Sequence, residues 1–208
     1  MLQVLRLCSP NLPIGGFAWS QGLEGATDIG LICSGEQLDE WCRMMLDIMA
    51  ANEGAVIYHT MMGGDLQDLS DLMIASKETS ELKIESKKMG SALKRLIREV
   101  HSDLTVAHNI EAYEVIYGVL ANHLGMPVPS SLQGYFWAWC ENQVLAATRL
   151  IPIGHIACQK ILLGLISAMD EAVANSCEIP IDQIGATLPG LFTASAHHER
   201  QYSRLFRS

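Results

Sequence analysis

The sequence predicts an all-α fold: a single-domain helical bundle of about eight to ten helices with a long kinked central helix. Three observations predict it. Apolar residues recur at steps of three and four through most of the chain. Period-two alternation is nowhere sustained, which leaves no sheet. The stretch from Gly134 to Met169 carries only Glu141, Arg149 and Lys160 as full charges. Within it Trp137, Cys140, Val144, Ala147 and Ile151 fill one helical face, and Tyr135, Ala138, Trp139, Leu145, Ala146 and Leu150 fill the other. A helix apolar on nearly all sides is buried on nearly all sides. It is not a membrane span, because Glu141-Asn142-Gln143, Arg149 and Pro152-Ile153-Gly154 interrupt it before about 18 clean apolar residues accumulate. Pro152 removes a backbone donor and clashes with the preceding turn, so a kink or break is expected over Ile151 to Gly154.

The remaining elements follow in order. Pro10, Pro13 and Gly15-Gly16 make residues 1–18 an N-terminal loop segment that packs through Leu12, Ile14 and Phe17. Ser20 to Ile29 reads as a short helix stopped at Gly30. Ser34-Gly35-Glu36-Gln37 is a capping box that starts a helix running to about Met62. Leu38, Trp41, Cys42, Met45, Ile48 and Met49 form its buried face. Asp65 opens the next helix, with Leu66, Leu69, Leu72 and Met73 as its stripe. Thr79 to His101 is a further helix, and the region Lys77 to Arg98 holds half of the chain's 14 Lys and Arg. It reads as a solvated face laced with the pairs Lys77–Glu81, Arg95–Glu99 and Glu85–Lys88. Thr105 to Leu124 is expected helical, with Ile110, Tyr113, Ile116, Tyr117 and Leu120 inward and Gly125 as its stop. Ser130 or Ser131 is the expected cap of the central helix. Its second half should run from about His155 to Asn175. Pro180 opens a short helical turn to Thr187, and Pro189 starts the last helix.

The chain has 208 residues and a net charge of -9, enough for one core and contrary to the cationic surplus a nucleic-acid binder needs. Cys8, Cys33, Cys42, Cys140, Cys158 and Cys177 are scattered without a CxxC, as expected of reduced thiols in the cytoplasm. No signal peptide is visible.

Candidate chemistry is sparse. There is no GxxxxGK[ST] and no GxGxxG after a strand, so no nucleotide hydrolysis is expected. No GxSxG and no cysteine with a recognisable His and acid partner supports nucleophilic catalysis. His155 and Cys158 stand at i,i+3 and could share an ion, but two ligands in an apolar run read first as packing. His197-His198-Glu199 is a denser cluster and reads as a solvated face of the last helix. The closing residues 202–208 set two arginines among Tyr202, Leu205 and Phe206, the composition of an interface anchor.

Four stretches, in order, resemble one known family. WAWCENQVLAATRLIPIGHIACQKIL (Trp137 to Leu162) is similar to the core signature of the UreF urease accessory proteins. SPNLPIGGFAWSQGLEGA (Ser9 to Ala26) resembles their N-terminal signature. HERQYSRLFRS (His198 to Ser208) resembles their ending, and SKETSELKIESKKMGSALKRL (Ser76 to Leu96) a block between. His155 departs from the Gln usual in the family.

The resemblance implies an all-helical homodimer, not an enzyme, that acts in nickel insertion into urease in the cytoplasm. It implies a bridge between a UreD-type scaffold (UreH in some bacteria) and the GTPase UreG, modulation of that GTPase, and docking on apo-urease. Neither a nucleic acid nor a membrane is an expected partner. No resident cofactor is expected, only transient nickel. Carried over by position, the residues 202–208 would form a C-terminal docking tail that meets the scaffold through Tyr202, Ser203, Arg204, Leu205 and Phe206. Pro13, Gly15, Gly16, Phe17, Ser20, Gln21 and Glu24 would shape the partner surface. Gln143, Arg149 and Gln159, expected as polar positions of the buried core, would line a water-filled nickel route. Two other classes of function stay open at this level. One is a free-standing nickel metallochaperone using His155/Cys158 and His197/His198, separable by calorimetric nickel titration. The other is a helical enzyme, for which no residue constellation speaks.

Overall fold

Three-to-four spacing makes helices the only regular structure in the computed structural model, which describes residues 1–208. The α-helical segments are α1 (Leu2–Leu7), α2 (Leu23–Asp28), α3 (Gly35–Met49), α4 (Ala55–Met61), α5 (Leu66–Ser76), α6 (Ser80–Val100), α7 (Tyr113–His123), α8 (Val128–Leu150), α9 (His155–Glu178) and α10 (Pro189–His198). No helix is long and apolar enough to cross a membrane.

The capping box forms as its chemistry predicts. Ser34 Oγ accepts from the amide of Gln37 at 3.4 Å, and Gln37 Oε1 reaches back to accept from the amide of Cys33 at 2.8 Å. α3 continues through a π-helical turn, Ala50–Gly54, directly into α4. The extra residue of that turn has a use. Asn52 accepts from the amides of Gly185 and Ala186 and donates to Ala186 O, each at 2.8 to 2.9 Å. Beside it Glu53 meets Lys77 at 2.6 Å. Only Ile181–Gln183 of the expected 180–187 turn is helical, because Asn52 holds the backbone that follows.

Pro152 does more than bend the central stretch. The chain reverses over Ile151 to Gly154, and α8 and α9 fold back as an antiparallel hairpin. Gln133, early in α8, bonds Asp170, late in α9, at 2.9 Å. α8 is the buried member, with Phe136, Cys140, Gln143 and Ala147 fully enclosed. α9 buries only Cys158, Leu162, Leu165, Met169, Ala172, Val173 and Ser176. It leaves Ile156 78 %, Leu163 71 % and Ile166 43 % exposed, against the expectation of burial throughout. The cap of α8 also differs: helix begins after Pro127, whose fixed φ suits that position, and Ser131 bonds back to Pro127 O at 3.0 Å. Behind α8 the rings of Tyr113, Tyr117, Tyr135 and Phe136 pack 5.4 to 6.1 Å apart, and Tyr117 donates to Ser131 O at 2.8 Å.

Two further expectations are corrected. Residues 105–112 are not helical. The chain crosses α6 at Gly90, where a Cβ would stand 2.4 Å from Glu111 O, and side chains take over its backbone hydrogen bonds. Lys94 donates to His108 O and Ile110 O, and Ser70 Oγ accepts from the amides of Glu111 and Ala112. Nor do the three expected local ion pairs form: Lys77, Glu81 and Glu85 face inward to distant partners, and the exposed Arg95 and Glu99 do not pair. The N-terminal segment, expected as loop, folds Leu2–Leu7 into α1, whose Leu7 is buried.

Candidate functional site

The expected partner-binding residues converge where the first signature meets the last. α2 and α10 pack so closely that a Cβ on Gly25 would stand 2.1 Å from Ala194 O, and this brings residues 18–24 against the chain that follows α10, while Pro13, Gly15, Gly16 and Phe17 lie on the loop leading into them. Glu24, buried on α2, accepts the amides of Leu205 and Phe206 at 2.8 Å each, and His198 Nε2 lies 3.2 Å from the same carboxylate. Charge-assisted bonds of this kind are about twice as strong as neutral ones. His198 Nδ1 meets Glu81 at 2.6 Å, and Arg204 binds the other oxygen of Glu81 at 2.6 Å. Arg204 also donates to Gln201 O and Glu199 O, which shapes the turn between α10 and the tail.

The end of the tail is fixed as firmly. Ser20 donates both its amide, at 2.9 Å, and its hydroxyl to Ser208 O. Arg207 donates its amide to Ala18 O at 2.9 Å, and its guanidinium lies over the Trp19 ring. Gln21 adopts a positive φ of 51°, uncommon for a residue with a side chain. That shape lets its amide nitrogen donate to Glu85 at 2.6 Å while its oxygen accepts from Trp139. Ser208 Oγ donates to the second oxygen of Glu85 at 3.0 Å. Burial pushes the Glu85 carboxyl up to about 7, against the hydrogen bonds from Gln21 and Ser208 and the charge of Lys77.

Clamped backbone and free side chains coexist in the tail. Phe206 is buried with the Arg149 guanidinium 6.0 Å from its ring, whereas Tyr202 is fully exposed and Leu205 67 % exposed. Ser203 is exposed too. On the facing loop Phe17 is 62 % exposed and Pro13 is exposed, while Gly15 takes φ 76° to turn the chain into a short 3-10 turn at Gly16–Ala18. Asn142 donates to Trp19 O at 2.9 Å and to Gly16 O at 3.4 Å.

The three residues expected along an interior route do not come together. Gln143 is buried and fully used, accepting from Trp41 Nε1 at 3.3 Å and donating to Ser20 O at 2.9 Å. Arg149 and Gln159 are exposed, because the α8–α9 reversal turns them outward. A partly open, mainly apolar cavity of about 150 Å³ lies elsewhere, and Gln21, Glu53, Lys77, Glu85 and Glu114 are among the polar residues that line it. Lys77 pairs there with Glu53 at 2.6 Å and Glu114 at 3.2 Å. Burial disfavours its ammonium, but the two carboxylates outweigh that and hold its pKa above the ordinary lysine value.

Histidine clusters also separate. His155 is exposed at the start of α9, while Cys158 is buried with its sulfur 3.8 Å from Val144 O, so the pair shares no site. His197 faces outward to Asp28, and His198 is wholly buried rather than solvated. All six cysteines are free.

His198, Glu81 and Glu85 were therefore missed as members of the site. The signal for Glu85 was present. It stands three residues after Leu82 and four before Met89, inside the apolar stripe of α6.

Comparison with known proteins identifies relatives of the whole chain. The family model described as UreF matches residues 32–166. A Urease accessory protein UreF from Marinomonas sp. (strain MWYL1) is 37 % identical over 216 residues, covering all of this chain and 94 % of the relative. One from Pseudoalteromonas translucida is 36 % identical over 221 residues, covering 100 % and 94 %. A Urease accessory protein UreF 2 from Brucella anthropi is 36 % identical over 218 residues, covering 100 % and 96 %.

Proposed function

The chain belongs to the UreF family of urease accessory proteins, and from that premise we propose that it serves urease maturation as a cytoplasmic adaptor without chemistry of its own. In this reading it joins a UreD- or UreH-type scaffold to the GTPase UreG, and the assembly docks on apo-urease to deliver nickel as cargo. The observation that supports it most directly is the clasp. Glu24 fixes the backbone at Leu205 and Phe206, while Tyr202 and Leu205 point their side chains into solvent. An exposed apolar pair on a pre-ordered backbone loses little entropy on binding, which suits a docking element. The bond from Arg207 to Ala18 O sets Phe17 beside it and widens the surface.

An adaptor influences a GTPase only by binding its states with different affinity, so the effect on UreG belongs to the assembled surface and not to a catalytic side chain. A second copy of the chain is assigned to the outer face of α9, where Ile156, Leu163 and Ile166 form an exposed apolar stripe. Nickel passes by weak oxygen and imidazole contacts from which it can leave.

The test is co-purification on a tagged UreD-type scaffold. Wild type and the variant Tyr202→Ala/Leu205→Asp are compared, since both positions are exposed and the fold is kept. Retention of wild type and loss of the variant is expected. Equal retention refutes the tail as the docking element, and failure of both refutes the adaptor reading.

A further inference from the structure

At the far end of α6 a separate cluster stands outside the clasp. His101, Asp103 and His123 place one potential ligand atom each within 4.8 Å of one another. Glu85 to His101 is about 24 Å along the helix at 1.5 Å per residue, so the two sites are distinct. We propose that His101, Asp103 and His123 form a binding site for a divalent transition cation of the nickel and zinc class.

Local folding brings the three together. His101 closes α6, its amide bonded to Ile97 O at 2.7 Å, and a turn from His101 O to the amide of Leu104 aims Asp103 back over it. His123 is the last residue of α7. The two rings meet edge to face with centroids 5.8 Å apart, and His123 Nε2 lies 3.3 Å from Asp103 Oδ2. Both histidines sit at helix C-termini, where the backbone dipole favours a cation.

The chemistry fits. Two imidazoles and one carboxylate are a nitrogen-oxygen set that suits nickel and zinc, with water completing the sphere. Ligand bonds of about 2.1 Å require the donor atoms to close to about 3 Å apart. Asp103, 74 % exposed, is free to swing that far. Arg6 of α1 donates to His101 Nε2 at 2.7 Å, which marks that ring as a neutral acceptor; a cation either displaces Arg6 or uses the other nitrogen. A bound ion would pin the irregular segment 101–112 to the end of α7.

Titration calorimetry with Ni²⁺ alone and with Zn²⁺ alone, on the full chain purified without a histidine tag, tests this. One equivalent per chain is expected for wild type, and His101→Gln/His123→Gln should weaken it at least tenfold. Asp103→Asn should weaken it less, and His155→Ala/His197→Ala should leave it unchanged. Circular dichroism of each variant separates loss of ligands from loss of fold, and a metal-induced rise in Tm should vanish only in the ligand variants. Undiminished affinity in the double glutamine variant, transfer of the loss to His155→Ala/His197→Ala, or no binding by wild type at millimolar metal each overturns the proposal.

Discussion

Glu24 and Phe206 lie 182 positions apart in sequence, and a carboxylate oxygen of the first accepts the backbone N–H of the second at 2.8 Å. The other oxygen does the same for Leu205. Replacing Glu24 by Ala leaves these two amides and His198 Nε2 without their acceptor, with Phe206 and His198 buried. The expected loss is about 3 kcal/mol, the scale of hydrogen bonds to charged groups. Denaturant unfolding reads that loss, and hydrogen exchange should show faster exchange concentrated over residues 202–208. Glu24→Gln, which keeps one acceptor oxygen, should lose less.

The Glu85 carboxyl makes stability depend on pH near neutrality. Folded, it holds its proton up to about pH 7, mainly because of burial. Unfolded, it releases the proton near 4.3. Between those values the folded state binds more protons, so stability falls as pH rises and is constant again above the folded pKa. Relative to Glu85→Gln, which cannot ionise, wild type should lose about 3 kcal/mol between pH 4 and pH 8. Urea unfolding of both proteins across that range checks it. A flat difference would show that folding leaves the Glu85 pKa unshifted.

The helices were legible because periodicity and punctuation agree. Ser34 with Gln37, Asp65, Gly30 and Pro189 all mark real boundaries. What local sequence could not carry was long-range satisfaction of polar groups. Residues 105–112 have a helical pattern, but Ser70, Ser86 and Lys94 hold them and the start of α7 from other helices. Glu81 sits in a run dense with charge and looks solvated until the tail arrives from beyond α10. The signature motifs marked the clasp residues, but which of them are buried clamps and which are presented outward depends on that same closure.

Gly90 should be intolerant of any side chain. A Cβ there would stand 2.4 Å from Glu111 O and 3.2 Å from the Tyr113 amide, both backbone atoms that cannot step aside cheaply. Helix propensity alone would favour alanine by about 1 kcal/mol. Overpacking against backbone outweighs it, and Gly90→Ala should destabilise by about 2 kcal/mol net. Ser91→Ala, one position along on the exposed side, should change stability by less than about 0.5 kcal/mol. Thermal unfolding of the two variants side by side distinguishes crowding from a general effect on α6.

Leu163 tests the assignment of a second copy to α9. Its side chain is 71 % exposed, one helical face along from Ile156 at 78 % and Ile166 at 43 %. A monomer gains nothing by exposing three large apolar side chains on one face of a helix whose other face is already buried. Leu163→Glu puts a charge at the centre of the stripe without touching the core, so the fold should keep its Tm within a few degrees. Self-association should weaken at least tenfold in sedimentation equilibrium, because a carboxylate buried in an apolar contact has no partner there. Association unchanged by Leu163→Glu would move the copy-to-copy contact off this face and leave the stripe to another partner.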